Sequence, residues 1–243
     1  MITVSVVSHG HGEMVLRLIE SLLGCAEVAQ IILTRNIPES LPVPVSDRIT
    51  VVDNSLQKGF GENHNAAFER CNQPFFCPLN PDISLKGNPF GLLLSEMEKT
   101  GAGIAAPLVL APDGEVEDSA RRFPTIISLL WKACGGLGGR YTLKLNDPVF
   151  CPDWVAGMFV LFRSADFEKL RGFDPKFFLY YEDVDICVRA AKVGIGLIVC
   201  PSAVVIHDAR RDSHRSLRHL RWHLASMGRY FLKYWGRLPS VEY

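Results

Sequence analysis

The chain has 243 residues, 48% of them hydrophobic and 21% charged, enough to bury one large core or two small ones. Its 26 basic and 26 acidic side chains cancel, so no overall excess of charge points to nucleic acid as a partner. No run of about twenty apolar residues exists to span a bilayer, and the first residues lack a basic leader, so a cytoplasmic chain is the expectation.

Ile2 to Val7 is apolar and β-branched, which predicts a strand buried on both faces. Glu13 to Leu23 then spaces Met14, Val15, Leu18, Ile19 and Leu22 as one helical stripe, with Gly24 as its stop. The alternation continues with strands at Val28 to Leu33 and Ile49 to Val52, a helix at Glu62 to Arg70, a strand at Phe75 to Leu79, a helix at Phe90 to Lys99 and a strand at Ile104 to Leu110. Such βαβ order predicts an α/β fold: a mainly parallel central sheet, helices on both faces, and ligands at the strands' carboxyl ends. Residues 111 to 152 break the rhythm with Pro112-Asp113-Gly114, Arg121-Arg122 and a glycine cluster from Gly135 to Gly139, and read as a loop or insertion. Trp154 to Phe162 is predicted as a strand, Ala165 to Leu170 as a short helix, Glu182 to Lys192 as a helix, Leu197 to Ile206 as a strand, and Leu217 to Trp235 as a long closing helix.

Charge and cysteine are unevenly informative. From Asp208 onward eight Lys or Arg stand against three acids, a surplus of +5 that is balanced by −5 over the first 207 residues. Seven cysteines, with no Cys-x-x-Cys spacing, read as reduced thiols, mostly in the core.

Ser8, Asp53 and the triplet Asn80-Pro81-Asp82 each fall just after a predicted strand, so one crevice could collect them. A carboxylate at Asp53 can accept from a base or a ribose hydroxyl, although Asp and Asn there also form ordinary turns. Gly59 and Gly61 open a helix and would let backbone N–H groups approach a phosphate. The triplet ends in a carboxylate that can hold a hard cation or can simply turn the chain. Phe177, Phe178, Tyr180 and Tyr181 lead into Glu182, Asp183 and Asp185, three acids in the first turn of one helix. Exposed N–H groups at a helix start stabilise anions, which accounts for one or two of them. The aromatic approach adds an apolar wall that raises a carboxylate's proton affinity toward that of a general base. His207, at a strand end, is either a surface residue or a metal ligand.

Taken in order, Thr3 to Ser8, Val51-Val52-Asp53-Asn54-Ser55, Gly59-Phe60-Gly61-x-Asn63-x-Asn65, Leu79-Asn80-Pro81-Asp82, Trp154-Val155-Ala156-Gly157 and Gly172-Phe173-Asp174 through Tyr181-Glu182-Asp183-Val184-Asp185 resemble the inverting glycosyltransferases of family 2, with the nucleotide-diphospho-sugar transferase fold called GT-A. Within that family the likeness is to bacterial rhamnosyltransferase-like enzymes of surface polysaccharide assembly. The resemblance implies a GT-A catalytic domain over 1–207, made of a nucleotide-binding half (1–110), the insertion (111–152) and an acceptor and catalytic half (153–207), followed by a basic helical extension (208–243). It implies Asp183 as catalytic base with Glu182 beside it, and Ser8, Asp53, Gly61, Asn65, Asn80 and Gly157 on the donor side. Asp82 and His207 would hold Mg2+ or Mn2+, and Trp154 and Tyr181 would face the acceptor. The implied partners are a dTDP- or UDP-sugar and a saccharide or lipid-linked acceptor, with homodimerisation left open. Asn80 stands where the family's metal motif begins with Asp, and Gln57 where an Asn often precedes Gly-Phe-Gly.

The closing helix interleaves Arg218, Arg221, Arg229 and Lys233 with Leu, Trp, Tyr and Phe, which suits either peripheral contact with an anionic membrane, on the inner face of the cell membrane, or packing on the body. Two other functions stay in view. A nucleotidyltransferase on the same fold would need a lysine- and glycine-rich segment after the first strand, where His9-Gly10-His11-Gly12 stands instead. A degenerate sugar-nucleotide-binding protein would fit Asn80.

Overall fold

A computed structural model describes residues 1–128, 139–208 and 217–239. Cys134, the cluster from Gly135 to 138, and Arg210, Arg211 and Arg215 lie outside the described residues.

The elements run β1 (Ile2–Ser8), α1 (Glu13–Leu23), β2 (Val28–Arg35), β3 (Ile49–Asp53), α2 (Phe60–Phe68), β4 (Phe75–Leu79), β5 (Ile83–Leu85), α3 (Phe90–Thr100), β6 (Ile104–Leu110), β7 (Ala120–Arg121), β8 (Trp154–Val155), β9 (Leu161–Arg163), α4 (Ser164–Lys169), α5 (Glu182–Lys192), β10 (Leu197–His207) and α6 (Leu217–Tyr234). Eight strands form one sheet in the order β3-β2-β1-β4-β9-β6-β10-β5. The pairs β1–β2, β1–β4, β2–β3 and β6–β10 are parallel, while β9 and β5 pair antiparallel. The expected mainly parallel α/β sheet is therefore present.

Helices cover both faces. On one, Val15, Leu18, Ile19 and Leu22 of α1 and Phe90, Leu93 and Met97 of α3 pack against Ile2, Val4 and Val6 of β1. On the other, α2, α4, α5 and α6 share a cluster that includes Ala67, Phe167, Val188 and Tyr230. Each fully buried aliphatic side chain contributes roughly 1.5–3 kcal/mol over an exposed one. β1 is buried throughout, as predicted, but its second face is polar: Thr3 bonds Gln30 and Ser5 bonds His64, so the buried hydroxyls are satisfied.

Three boundaries depart from the pattern. Trp154 to Phe162 is not one strand but two in different sheets: β8 pairs with β7 in a separate ribbon, and β9 wedges between β4 and β6. Ala156 donates to Ser119 and Met158 accepts from Asn80, which pulls the intervening turn out of any single ladder. Helix α2 begins at Phe60, before the predicted Glu62. β5, only three residues long and antiparallel to β10, was too short to register as a pattern.

Candidate active site

Two cavities flank the turn at Ala156–Met158. The first, of 460 Å³, lies at the carboxyl ends of β1 and β4, with Asn80 and Asp82 on its floor and His9, Lys58 and Arg218 among its walls. The second, of 200 Å³, is lined by Glu182, Asp183, Trp154, Tyr181 and Arg121. The turn joins them: Met158 accepts from the backbone N–H of Asn80 at 2.8 Å, and Gly157 donates its own N–H to Asp183 at 3.1 Å.

Asp82 and His207 meet because β5 runs antiparallel to β10, with Ile83 opposite His207. His207 Nε2 lies 3.3 Å from Asp82 Oδ2, and its Nδ1 is hydrogen-bonded to Glu117 Oε2 at 2.7 Å. Burial lowers the imidazole's proton affinity, but the two carboxylates outweigh it and push its pKa up to about 9. Asp82 Oδ1 is buried with no hydrogen-bond partner among the described residues. An orphaned carboxylate oxygen beside an imidazole whose other nitrogen is held by a carboxylate is a donor set suited to a divalent cation. Among the described residues no cluster of three or more ligating side chains exists, so they offer two ligands here, Asp82 and His207, to a cation that a substrate or water would also coordinate.

The acids at the head of α5 are three in sequence and separate in space. Asp183 accepts from Val184 and Gly157, and burial raises its proton affinity against those bonds. Burial, and then the neighbouring Asp183, push Glu182 well above the usual carboxylate range, and its Oε2 is buried without a partner among the described residues. Asp185 turns inward to Arg189, Lys233 and Tyr234 at 2.6–2.8 Å, so it is spent on holding α6 to the body. The approach is strained: Tyr180 and Tyr181 are consecutive non-glycine residues at φ 68° and 66°. Tyr180 Oη is hydrogen-bonded to His219 and Leu179 O accepts from Ser226, so α6 secures that segment.

The remaining sequence-predicted residues are more dispersed. Trp154 and Tyr181 line the second cavity, with the indole N–H donating to Arg122 O at 2.9 Å. Ser8 and Asp53 are not among the residues lining either cavity. Ser8 Oγ accepts from the N–H of His11, and Asp53, largely exposed, pairs with Arg35 at 2.6 Å, which lowers its pKa. Gly61 does not lie open to a phosphate: a Cβ there would stand 2.6 Å from Phe173 Cβ, so the glycine is required by packing. Asn65 spends both ends of its amide on Phe173, donating to its carbonyl and accepting from its N–H at 2.8 Å each. These bonds fix the Gly172-Phe173 corner that leads toward α5.

Several groups escaped the sequence reading. Glu117 lies in the irregular segment, where only proximity marks it. Asn36 accepts from Lys58 N–H and donates to its carbonyl, holding the loop that presents Lys58 to the cavity. His64 lines the same cavity, its pKa lowered by burial to about 3, so it is neutral. Arg218, His219 and Trp222 arrive from α6.

No family model matches the chain. It is 28% identical over 248 residues to the rhamnosyltransferase WbbL of Escherichia coli, a match spanning 96% of this chain and 93% of the relative. It is 32% identical over 156 residues to the N-acetylglucosaminyl-diphospho-decaprenol L-rhamnosyltransferase of Mycobacterium tuberculosis, covering 60% of this chain but only 50% of that one. Among solved structures, GalNAc-T7 with UDP, GalNAc and Mn2+ superposes with a TM-score of 0.68 at 14% identity, over 87% of this chain and 44% of that one. The fold is thus that of the GT-A transferases.

Proposed function

We propose that this chain, a rhamnosyltransferase-like glycosyltransferase of the GT-A fold, transfers a sugar from a dTDP- or UDP-linked donor to a hydroxyl of a saccharide or lipid-linked acceptor, inverting the anomeric carbon, in the assembly of a surface polysaccharide. The observation that carries this is the shared turn: Asp82 and Asp183, 101 positions apart in sequence, line different cavities, and one turn bonds residues of both, Met158 to Asn80 of the first and Gly157 to Asp183 of the second.

Inverting transfer is a single in-line displacement, which needs one base on the acceptor side and charge neutralisation on the leaving-group side. Asp183 takes the proton from the acceptor hydroxyl. Its raised proton affinity brings it closer to working pH than an ordinary carboxylate, and the Gly157 N–H fixes which oxygen faces the turn. Glu182 beside it supplies a second carboxyl, its proton affinity raised by burial, that orients the acceptor. On the donor side Asp82 and His207 would hold Mg2+ or Mn2+, with Glu117 fixing the imidazole tautomer. Such an ion, when bound, neutralises the departing diphosphate as a Lewis acid. The GalNAc-T7 structure carries UDP and Mn2+ together, in keeping with that assignment. Rhamnose is the donor sugar favoured by the relatives' names.

A thermal-shift screen of UDP-, dTDP- and GDP-sugars with Mn2+ tests this, because a ligand bound to the native state alone raises the melting temperature. A rise for dTDP-rhamnose or a UDP-sugar that disappears with chelator, followed by product of inverted anomeric configuration, is the expected result. Retained configuration, or no response to any nucleotide sugar, would overturn it.

A second feature bears on location. No described helix is long and apolar enough to cross a membrane. Yet α6, packed inward through Ser226, Tyr230 and Tyr234, leaves Leu217, Leu220, Leu224, Leu232 and Trp235 exposed beside Arg221 and Arg229. This apolar and cationic outer face suits an anionic lipid surface, where each basic residue contributes about 1 kcal/mol. Flotation with phosphatidylglycerol vesicles, lost on replacing Leu220 and Leu224 with Ser, is the corresponding test.

A further inference from the structure

The closing helix does more than pack. Its first two turns form a wall of the larger cavity, opposite Asn80 and Asp82, through Arg218, His219 and Trp222. Trp222 lies against Phe178 with ring centroids 4.8 Å apart, and Arg218 is stacked over Trp222 at 4.6 Å, so the guanidinium is held at the cavity on an aromatic shelf. His219 is hydrogen-bonded at 3.0 Å to Tyr180, the first of the two left-handed residues before Glu182. One turn of α6 thus lines the donor cavity and, through His219, also reaches the approach to the acid pair.

We propose that Arg218 binds the diphosphate of the nucleotide donor and that His219 positions the acid pair by holding Tyr180, which makes α6 a working part of the transfer site. This rests on the transferase assignment above and deepens it. The chemistry follows from charge. A nucleoside diphosphate is the anionic part of the donor, and a planar guanidinium pairs with phosphate oxygens in bidentate fashion. Among the described residues lining the cavity, Arg218 and Lys58 are the cationic ones with long side chains, and Lys58 belongs to the loop held by Asn36. The donor would then be gripped between the nucleotide-binding half and the closing helix. The strain in Tyr180 and Tyr181 gives His219 its role: two left-handed residues persist only where surrounding contacts hold them.

Calorimetry of UDP and dTDP binding with Mn2+ to the full-length protein, paired with donor-dependent kinetics, tests both halves. Arg218→Ala is expected to weaken nucleotide binding at least about tenfold, as for loss of a charge-assisted hydrogen bond, and Arg218→Lys to weaken it less. Arg229→Ala, three turns further along α6 and outside the lining of the donor cavity, serves as control and should leave affinity unchanged. Because no lipid is present, a role of Arg218 confined to membrane contact would leave nucleotide affinity at the wild-type value, and that result overturns the proposal. His219→Ala is expected to lower kcat with donor KM unchanged, and His219→Gln, which can still bond Tyr180, to restore much of it. An unchanged kcat in His219→Ala, or no rescue by Gln, removes the positioning role. Asp82→Ala separates the two levels: if it abolishes metal-dependent binding while Arg218→Ala does not, the transferase site stands and the α6 inference falls. A wild-type chain that binds no nucleotide overturns both.

Discussion

Gly157 donates its backbone N–H to Asp183 Oδ2 at 3.1 Å, so the carboxylate proposed as the base is held by a turn whose next residue, Met158, accepts from Asn80. A backbone bond of this kind survives side-chain substitution at position 157, and it keeps one oxygen of Asp183 committed while the other bonds Val184.

Asp183→Asn keeps the side chain's size and removes the base, and its single amide oxygen can accept from Gly157 or from Val184 but not from both. It is expected to lower kcat by about 10²–10⁴-fold while nucleotide affinity stays near wild type. Steady-state kinetics with calorimetry on the same preparation checks both halves, and wild-type turnover would remove Asp183 from the role.

The pair proposed to hold a divalent cation, Asp82 and His207, makes a graded prediction. Asp82→Ala is expected to abolish the dependence of nucleotide binding on Mn2+. Glu117→Gln, which touches no metal and only holds the His207 ring, should cost roughly 10–100-fold in metal affinity. Titration of nucleotide affinity against Mn2+ distinguishes the two, and equal wild-type affinity in chelator would count against the whole site.

Glu182 makes stability depend on pH with a definite sign. Its folded pKa is raised, so its contribution to stability is fully present below the unfolded carboxylate value and is lost as pH rises through the folded one. Glu182→Gln is therefore expected to raise stability by about 1–3 kcal/mol near about pH 8 and to have little effect near about pH 4. Denaturant melts at the two pH values measure it; a gain that is larger in acid would contradict the assigned direction.

Asp185 is fully buried and joins Arg189, Lys233 and Tyr234. Asp185→Ala strands those partners and is expected to cost about 3 kcal/mol or more. Loosening of α6, read as faster amide exchange from 226 to 234, should accompany it.

Gly61→Ala would place a methyl 2.6 Å from Phe173 Cβ. Overpacking there is expected to cost about 1–3 kcal/mol with nucleotide affinity largely kept, which separates a packing glycine from a phosphate-binding one.

Local pattern carried much of the architecture. The helical stripe of α1, the β-branched run of β1 and the βαβ order were all legible, because side-chain periodicity records which face of an element is buried. The ordered motifs likewise marked Asp82, His207, Glu182 and Asp183. What the motifs could not do was sort neighbours by role. Glu182, Asp183 and Asp185 look alike on one helical turn, and only packing shows Asp185 turned to Lys233 and Tyr234. Asn65 and Gly61 belong to the same motif as a nucleotide loop, and only the docking of Phe173 shows them as supports.

Periodicity along the chain therefore determined the α/β layering and the crevice at the strands' carboxyl ends, while the acids proposed for the site were marked by what the family resemblance implies. Tertiary structure alone decided that Glu117 holds His207, that the break after Val155 joins two cavities, and that a basic closing helix faces the first of them. The physical reason is range: backbone propensity and alternating burial are encoded within a few residues, whereas a carboxylate's partner is fixed by strand order and by contacts between residues 90 or more positions apart.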